Sequence, residues 1–403
     1  MRPTMALADK VAARLDRDYM VDMLARLARI PTAVPLGYET LIEPDHPMLV
    51  DYVQRVLRPE LMAIGVSDLR QAPLNNLVAV IGGDSSGPVL LIECYTPTQH
   101  YNLMPNPLSG EIKTAPEYGH DEPCVFGQGV SQNKTHQAVM LGVLKTLVGE
   151  GIRLRGTLYW AVNNEGRSTH ACSQAIVGML DKRPDFAVCQ LGTGLQVWNG
   201  NRGRVDVEVH LKGKASHSSN PDAGLSAIEG ANQVLNRLRL LTWPDTHPDL
   251  GARRAIAYKI RYEPVAPHTL PSDAYITVDR RMLPGDDPED AAAEIAAAIG
   301  DLFPYSVTAK VGVCQYPSLV EADHPWVQAL LRAGDEVDAT QLTTAYPSSC
   351  FDAGGLQRLG IPAVTFGARG GVFPLGVDFM PISQMMREAR TLTRFIVDRL
   401  GRA

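Results

Sequence analysis

Val89-Leu-Leu-Ile-Glu-Cys-Tyr-Thr-Pro97 is the stretch that decides the fold. It reads as a buried parallel strand with a polar tip. Leu77–Ile81, Thr157–Val162 and Phe186–Cys189 repeat the pattern, with helical stretches between them. One of these helices is expected from Ser131 to Val148, with Ser131 as its N-cap. Strands alternating with helices imply an α/β fold: a mostly parallel sheet flanked by helices on both faces. Active groups then gather at the C-terminal strand tips, where Cys94, Asn164 and Gln190 fall.

Working outward, Ala6 to Ile30 has helical period, with Leu7, Val11, Leu15, Met20, Met23, Leu24 and Leu27 sharing a face. A second module begins near Arg204. Strands are expected at Val205–Leu211, Ala255–Tyr262, Tyr275–Met282 and Ser306–Val313, and helices at Ala223–Leu240 and Pro288–Ile299. This β-α-β-β-α-β order is ferredoxin-like. Strand and helix types then return at Gly360–Gly367 and Ser383–Leu400. The expected organisation is a catalytic domain in two parts, 1–203 and 316–403, with an inserted α+β lid and dimerisation domain at 204–315.

The chain has 403 residues, enough for two cores, and its 45% hydrophobic and 20% charged content is that of an ordinary globular protein. A net charge of -6 gives no reason to expect nucleic acid or an anionic membrane as partner. No apolar run reaches the roughly 18–20 residues a spanning helix needs. Six cysteines without C-x-x-C pairs, and no export signal, imply reduced thiols and a cytoplasmic location.

Val125-Phe-Gly-Gln-Gly-Val-Ser-Gln-Asn-Lys-Thr135 and Leu158-Tyr-Trp-Ala-Val-Asn-Asn-Glu-Gly-Arg-Ser168 follow the first strand. In order and spacing the three stretches resemble the aminoacylase, acetylornithine deacetylase, succinyl-diaminopimelate desuccinylase and glutamate carboxypeptidase family of dinuclear zinc peptidases. Three further stretches extend the resemblance. They are Gly213-Lys-Ala-Ser-His-Ser-Ser-Asn-Pro221, Leu270-Pro-Ser-Asp-Ala-Tyr-Ile-Thr-Val-Asp-Arg-Arg281, and Ser-Ser-Cys-Phe-Asp-Ala353. The family writes Gly-His-x-Asp, Gly-x-x-Asp-x-Lys and Asp-Glu-Glu at the first three sites. Here Cys94 and Thr96, then Gln132, then Asn163, Asn164 and Glu165 stand there. By the same resemblance a later carboxylate falls on Gln190 or Leu191, the closing histidine on Pro374, and the general base on Asn164. Glu165 alone survives as a family ligand, too little for zinc, so no metal and no other cofactor is expected.

What remains is a cleft of Cys94, Thr96, Gln132, Asn163, Asn164, Glu165 and Gln190. These side chains either form a re-purposed hydrogen-bonding site or fill former ligand positions and bond one another. Cys94 reads as a nucleophile or acid/base with Glu165 as partner, or as a small buried hydrophobe. Cys350 is a second thiol with the same two readings. The resemblance gives His217 the substrate's carbonyl oxygen, across a dimer, and Arg281 its carboxylate. The alternatives are a surface histidine and a salt-bridged lid arginine. Arg369, in a glycine-rich loop, is a candidate anion clamp or an ordinary turn residue.

The expected function is metal-independent hydrolysis, or a related cleavage, of an amide-like bond in a small carboxylate-bearing amino-acid derivative. Cys94 and Glu165 would do the proton or nucleophile work, and Gln132, Asn164 and His217 would polarise the carbonyl. Arg281 would hold the carboxylate. The expected partners are that small molecule and a second copy of the chain through the lid. Two rivals stay open: a cysteine-dependent isomerase or racemase using Cys94 with Glu165 or Cys350, and a catalytically dead homologue that binds an amino-acid-like ligand.

Overall fold

The computed structural model describes residues 7–35, 42–83, 86–98, 104–165, 169–338, 341–371 and 376–401. Ala6, Pro374 and the Gly-Arg-Ser168 end of the third motif lie outside these residues. The chain divides into two compact units: Met1–Asn199 with Leu319–Ala345 and Gly355–Ala403, and Gly200–Ser318 with Tyr346–Gly354.

The first unit is built on an eight-stranded sheet among the described residues. Its order is Asp68–Gln71, Leu77–Ile81, Thr157–Asn163, Val89–Tyr95, Phe186–Gln190, Ala363–Phe366, Val197–Trp198 and Thr344–Ala345. The four middle strands, Thr157–Asn163 to Ala363–Phe366, run parallel, and the first two join antiparallel. Every residue of Val89–Tyr95 and Thr157–Asn163 is buried, because helices cover both faces. The helix Thr135–Gly149 is buried almost all round, packing with Arg17–Ala28 and Ile382–Leu400 against the sheet.

Two local expectations fail here. The N-terminal helix is broken into Leu7–Ala12 and Arg17–Ala28, since the Asp16 carboxylate accepts the Tyr19 amide at 3.0 Å and starts a new helix. Leu7, left off the shared face, is 39% exposed. Ser131 is not an N-cap. The chain enters the long helix from Gly129, at φ +88°, through a π-helical turn Val130–Lys134. The Asp378 carboxylate accepts the Gly129 amide at 2.6 Å and the Ser131 amide at 2.9 Å, doing the capping from a distant segment.

The second unit is a four-stranded antiparallel sheet in the order Arg254–Glu263, Asp273–Met282, Gly203–Lys212, Ser306–Gln315. The helices Ala227–Leu238 and Pro288–Ile299 cover one face, over Val205, Val207, Val209, Leu211, Ile276 and Val278. In chain order this is β-α-β-β-α-β, the ferredoxin-like arrangement. Arg254–Glu263 is an edge strand carrying exposed Ile256, Tyr258, Ile260 and Tyr262. Among the described residues no helix is long and apolar enough to cross a membrane.

Candidate functional site

The parallel strands end in two polar clusters, one on each face of the sheet. Cys94 stands in register with Val162 and Gln190, and Tyr95 with Asn163. Alternation therefore sends Cys94 and Gln190 to one face and Glu93 and Asn163 to the other.

On the first face the Cys94 thiol, buried, donates toward Asn133 O at 3.5 Å and Tyr95 O at 3.6 Å. Gln137 ties the strand tip to the helix, donating to Tyr95 O and Thr96 Oγ1 and accepting the Tyr52 hydroxyl at 2.6 Å. Gln190 Nε2 donates to Glu388 Oε1 at 3.0 Å and to His136 O at 3.4 Å. Glu388 also takes the Ala368 amide at 2.8 Å and holds His136 Nδ1 at 2.8 and 2.9 Å from its two oxygens. A carboxylate only accepts, so Nδ1 is the donor to Glu388 and Nε2 is the ring nitrogen that points elsewhere. His136 and Glu388 are both fully buried. His136 Nε2, Gln190 Oε1 and Gln132 Oε1 have no partner among the described residues. The imidazole fits because residue 367 is glycine. A Cβ there would lie 2.5 Å from His136 Cε1 and 2.5 Å from Leu191 O.

On the second face Asn163 Nδ2 donates to Glu93 Oε1 at 2.7 Å, and Ser173 Oγ donates to the same oxygen at 2.7 Å. Asn164 Nδ2 donates to Asn75 O at 2.7 Å, so its Oδ1 is the end left open. Glu165 is turned to backbone. Its Oε1 accepts the Thr169 amide at 2.9 Å and the Thr169 hydroxyl, and Oε2 accepts the Cys172 amide at 2.9 Å. That carboxylate closes the first turn of Ala171–Gly178, where the helix dipole favours negative charge. Burial, then the Glu165 charge, pushes the Cys172 thiol up to about 12. The expected Cys94–Glu165 proton pair is thus corrected: the two side chains bond to different helices on opposite faces of the sheet.

A dinuclear zinc site does not fit these donors. Gln132, Asn164 and Gln190 are neutral amides, the thiol of Cys94 is hydrogen-bonded to carbonyls, and Glu165 has both oxygens on a helix end. Among the described residues no three His, Cys, Asp or Glu side chains gather as ligands. Beside the site Lys134 is buried with Nζ donating to Ile30 O at 2.7 Å. Burial pushes its ammonium down to about 7, against the pull of Asp378, whose own carboxyl burial raises.

In the second unit His217 is exposed, with Nδ1 2.8 Å from Ser219 Oγ. Arg281 is paired to Asp279 at 2.9 Å and also donates toward Cys350 Sγ at 3.8 Å. Cys350 in turn donates to Gln315 Oε1 at 2.8 Å. Arg369, in the first unit, is exposed.

Residues 199–306 match the peptidase dimerisation domain of the M20 type. This chain is a homologue of the M20 peptidases. The uncharacterised Escherichia coli protein YgeY is 24% identical over 373 residues, 87% of each chain. Acetylornithine deacetylase of Yersinia pseudotuberculosis is 25% identical over 169 residues, 41% of this chain and 42% of its own. Among solved structures, the Saccharomyces cerevisiae dipeptidase Dug1p superposes with a TM-score of 0.74 at 13% identity, covering 97% of this chain and 98% of its own. The M20 family metallo-carboxypeptidase Sso-CP2 of Sulfolobus solfataricus gives 0.71 at 17%, covering 94% and 98%. These likenesses show the M20 fold.

Sequence reasoning missed His136, Glu388, Lys134 and Gln315 as site residues. Glu388 left a signal: it interrupts the apolar stripe of Met385, Ala389, Leu392 and Ile396 on the last helix. His136 sits at the start of a helix that continues as the apolar run Ala138–Leu144.

Proposed function

We propose that this M20 homologue hydrolyses an amide-like bond in a small carboxylate-bearing amino-acid derivative without a dinuclear metal, and works as a homodimer through its second unit. The observation that carries the reading is the His136–Glu388 dyad, whose Nε2 is buried and unpartnered among the described residues, with Gln190 bonded to the same carboxylate. A carboxylate-oriented imidazole with one free nitrogen is a general base that needs no cation. Nε2 takes a proton from water as the water oxygen bonds to the carbonyl carbon. The same proton then passes to the amide nitrogen as the C–N bond breaks. Glu388 stabilises the imidazolium between the two steps.

The amides take a different part from the one expected of them. On the face of the dyad the open ends of Gln190 and Gln132 are carbonyl oxygens, which accept hydrogen bonds. They suit the N–H groups of a substrate and cannot polarise its carbonyl as they stand. The resemblance gives carbonyl recognition to His217 and carboxylate recognition to Arg281, both in the second unit. Dimerisation would cover the exposed apolar side chains of the edge strand Arg254–Glu263.

A binding homologue without turnover is the second reading. It is favoured by Cys94 and Glu165, the two groups expected to move protons, both being held by backbone. A panel of N-acyl amino acids assayed with and without chelator separates the readings. Turnover that resists chelation and falls by about two orders of magnitude or more in His136→Gln and Glu388→Gln is expected. Loss of wild-type turnover on chelation, or full turnover in His136→Gln, overturns the hydrolase reading. Binding by calorimetry with no turnover leaves the second.

A further inference from the structure

We infer that Cys350 is a nucleophilic thiol in a guanidinium-lined anion site of the second unit, built to react with small carboxylates that bear a leaving group on the carbon beside the carboxylate, the S–C bond forming as that group departs and the thiol proton passes to solvent. The inference goes beyond the hydrolase reading and does not depend on it.

The sheet register creates the site. Arg254, Arg281, Arg204 and Gln315 are Cα partners in one row across all four strands, Arg281 with both Arg254 and Arg204, and Arg204 with Gln315. The helix-covered face carries Val205, Cys314 and Arg280, so this row lies on the face without helices. Arg202 adds a fourth guanidinium. It is pushed below its ordinary value by burial, then by repulsion from Arg254 and Arg281. Among the described residues the carboxylates near these four cations are Asp279, Asp206 and, beyond Asp206 on the same face, Glu208. Asp279 takes Arg281 at 2.9 Å, and Asp206 lies 3.4 Å from Arg204 while accepting the Tyr258 hydroxyl at 2.9 Å. The level keeps a positive surplus.

Cys350 is set against that surplus. Its sulfur receives Arg281 Nη1 at 3.8 Å and donates its own proton to Gln315 Oε1 at 2.8 Å. Gln315 is fully buried, and its Nε2 has no partner among the described residues. Rotating that amide by half a turn exchanges an acceptor for a donor against the sulfur, so the side chain serves the thiol and the thiolate equally. Cationic neighbours and an N–H donor favour the thiolate. The contrast within the chain is direct: burial, then Glu122, pushes the Cys124 thiol up to about 11, and Cys172 is pushed to about 12. Burial and a nearby carboxylate raise both. A carboxylate drawn to Arg281 and Arg204 brings the carbon next to it within reach of the sulfur.

Two alkylating reagents test this on the full-length protein. Iodoacetate and iodoacetamide both form an S–C bond as iodide leaves and the thiol proton goes to solvent, but only iodoacetate carries a carboxylate. Peptide-resolved mass spectrometry reads the rate at each thiol, with Cys314, the more exposed neighbour, as the internal reference. The ratio of iodoacetate to iodoacetamide rates should be higher at Cys350 than at Cys314 by about tenfold or more. Arg281→Gln should bring the Cys350 ratio down to that of Cys314. Equal ratios at both thiols in the wild type, no reaction at Cys350, or a ratio that survives Arg281→Gln overturns the inference. The wild-type comparison stands whether or not the variant folds.

Discussion

The strand tips of the first unit and the arginine row of the second are both polar, and they handle charge in opposite ways. At the tips, Cys94 and Glu165 have their hydrogen-bonding capacity taken by backbone, and the former ligand positions are neutral amides. In the row, four guanidiniums face Asp279, Asp206 and Glu208, with a thiol at the edge. Neutral amides add no net charge to the buried tips, though the oxygens of Gln132, Asn164 and Gln190 stay open. A site for anions needs a surplus instead. The same residue type, cysteine, is therefore inert packing in one region and a candidate nucleophile in the other.

Several substitutions would break or sharpen that contrast. Arg281→Lys should carry the largest effect, weakening binding of a carboxylate ligand by about 1.5–3 kcal/mol while thermal stability barely moves. Calorimetric titration checks it, and undiminished affinity would reduce Arg281 to a partner of Asp279. Glu165→Ala should cost about 1–2 kcal/mol of stability in denaturant unfolding, because it uncaps Ala171–Gly178. A stable variant with lost turnover would return Glu165 to a catalytic role.

Lys134 predicts a pH signature for the first unit. Its folded value of about 7 lies below the ordinary lysine range, so between about pH 7 and 10 the unfolded chain holds more protons than the folded one. Stability should therefore rise with pH across that window, by at most about 1.4 kcal/mol per pH unit from this one group. Unfolding of the wild type and of Lys134→Met at pH 7, 8 and 9 measures the difference in slope, and parallel curves would refute it. Cys94→Ser should be the mildest change, below about 1 kcal/mol with turnover intact, since a hydroxyl can donate to the same carbonyls. A hundredfold loss of turnover would restore the thiol to the chemistry.

The scaffold was legible because buried parallel strands are written as uninterrupted apolar runs, as in Val89–Tyr95 and Thr157–Asn163. The ferredoxin-like unit was legible from strand alternation and from Pro288–Ile299, whose Asp287 cap and N1 proline mark its start. Pairing across the site was not. Whether Cys94 and Glu165 meet depends on inter-strand register, and a single chain does not print register. Ser131 had the chemistry of a cap, and Asp378, nearly 250 residues later, supplies the carboxylate instead. His136 and Glu388 meet only through the packing of two helices 252 residues apart. The arginine row likewise appears only when four strands are laid side by side.

Gly367 ties the end of its strand to the dyad. A Cβ at that position would lie 2.5 Å from the ring carbon of His136 and equally 2.5 Å from Leu191 O, so a side chain there meets backbone as well as the imidazole. A Gly367→Ala change would therefore disturb the strand end and the dyad together, and replacing the histidine alone would not relieve it.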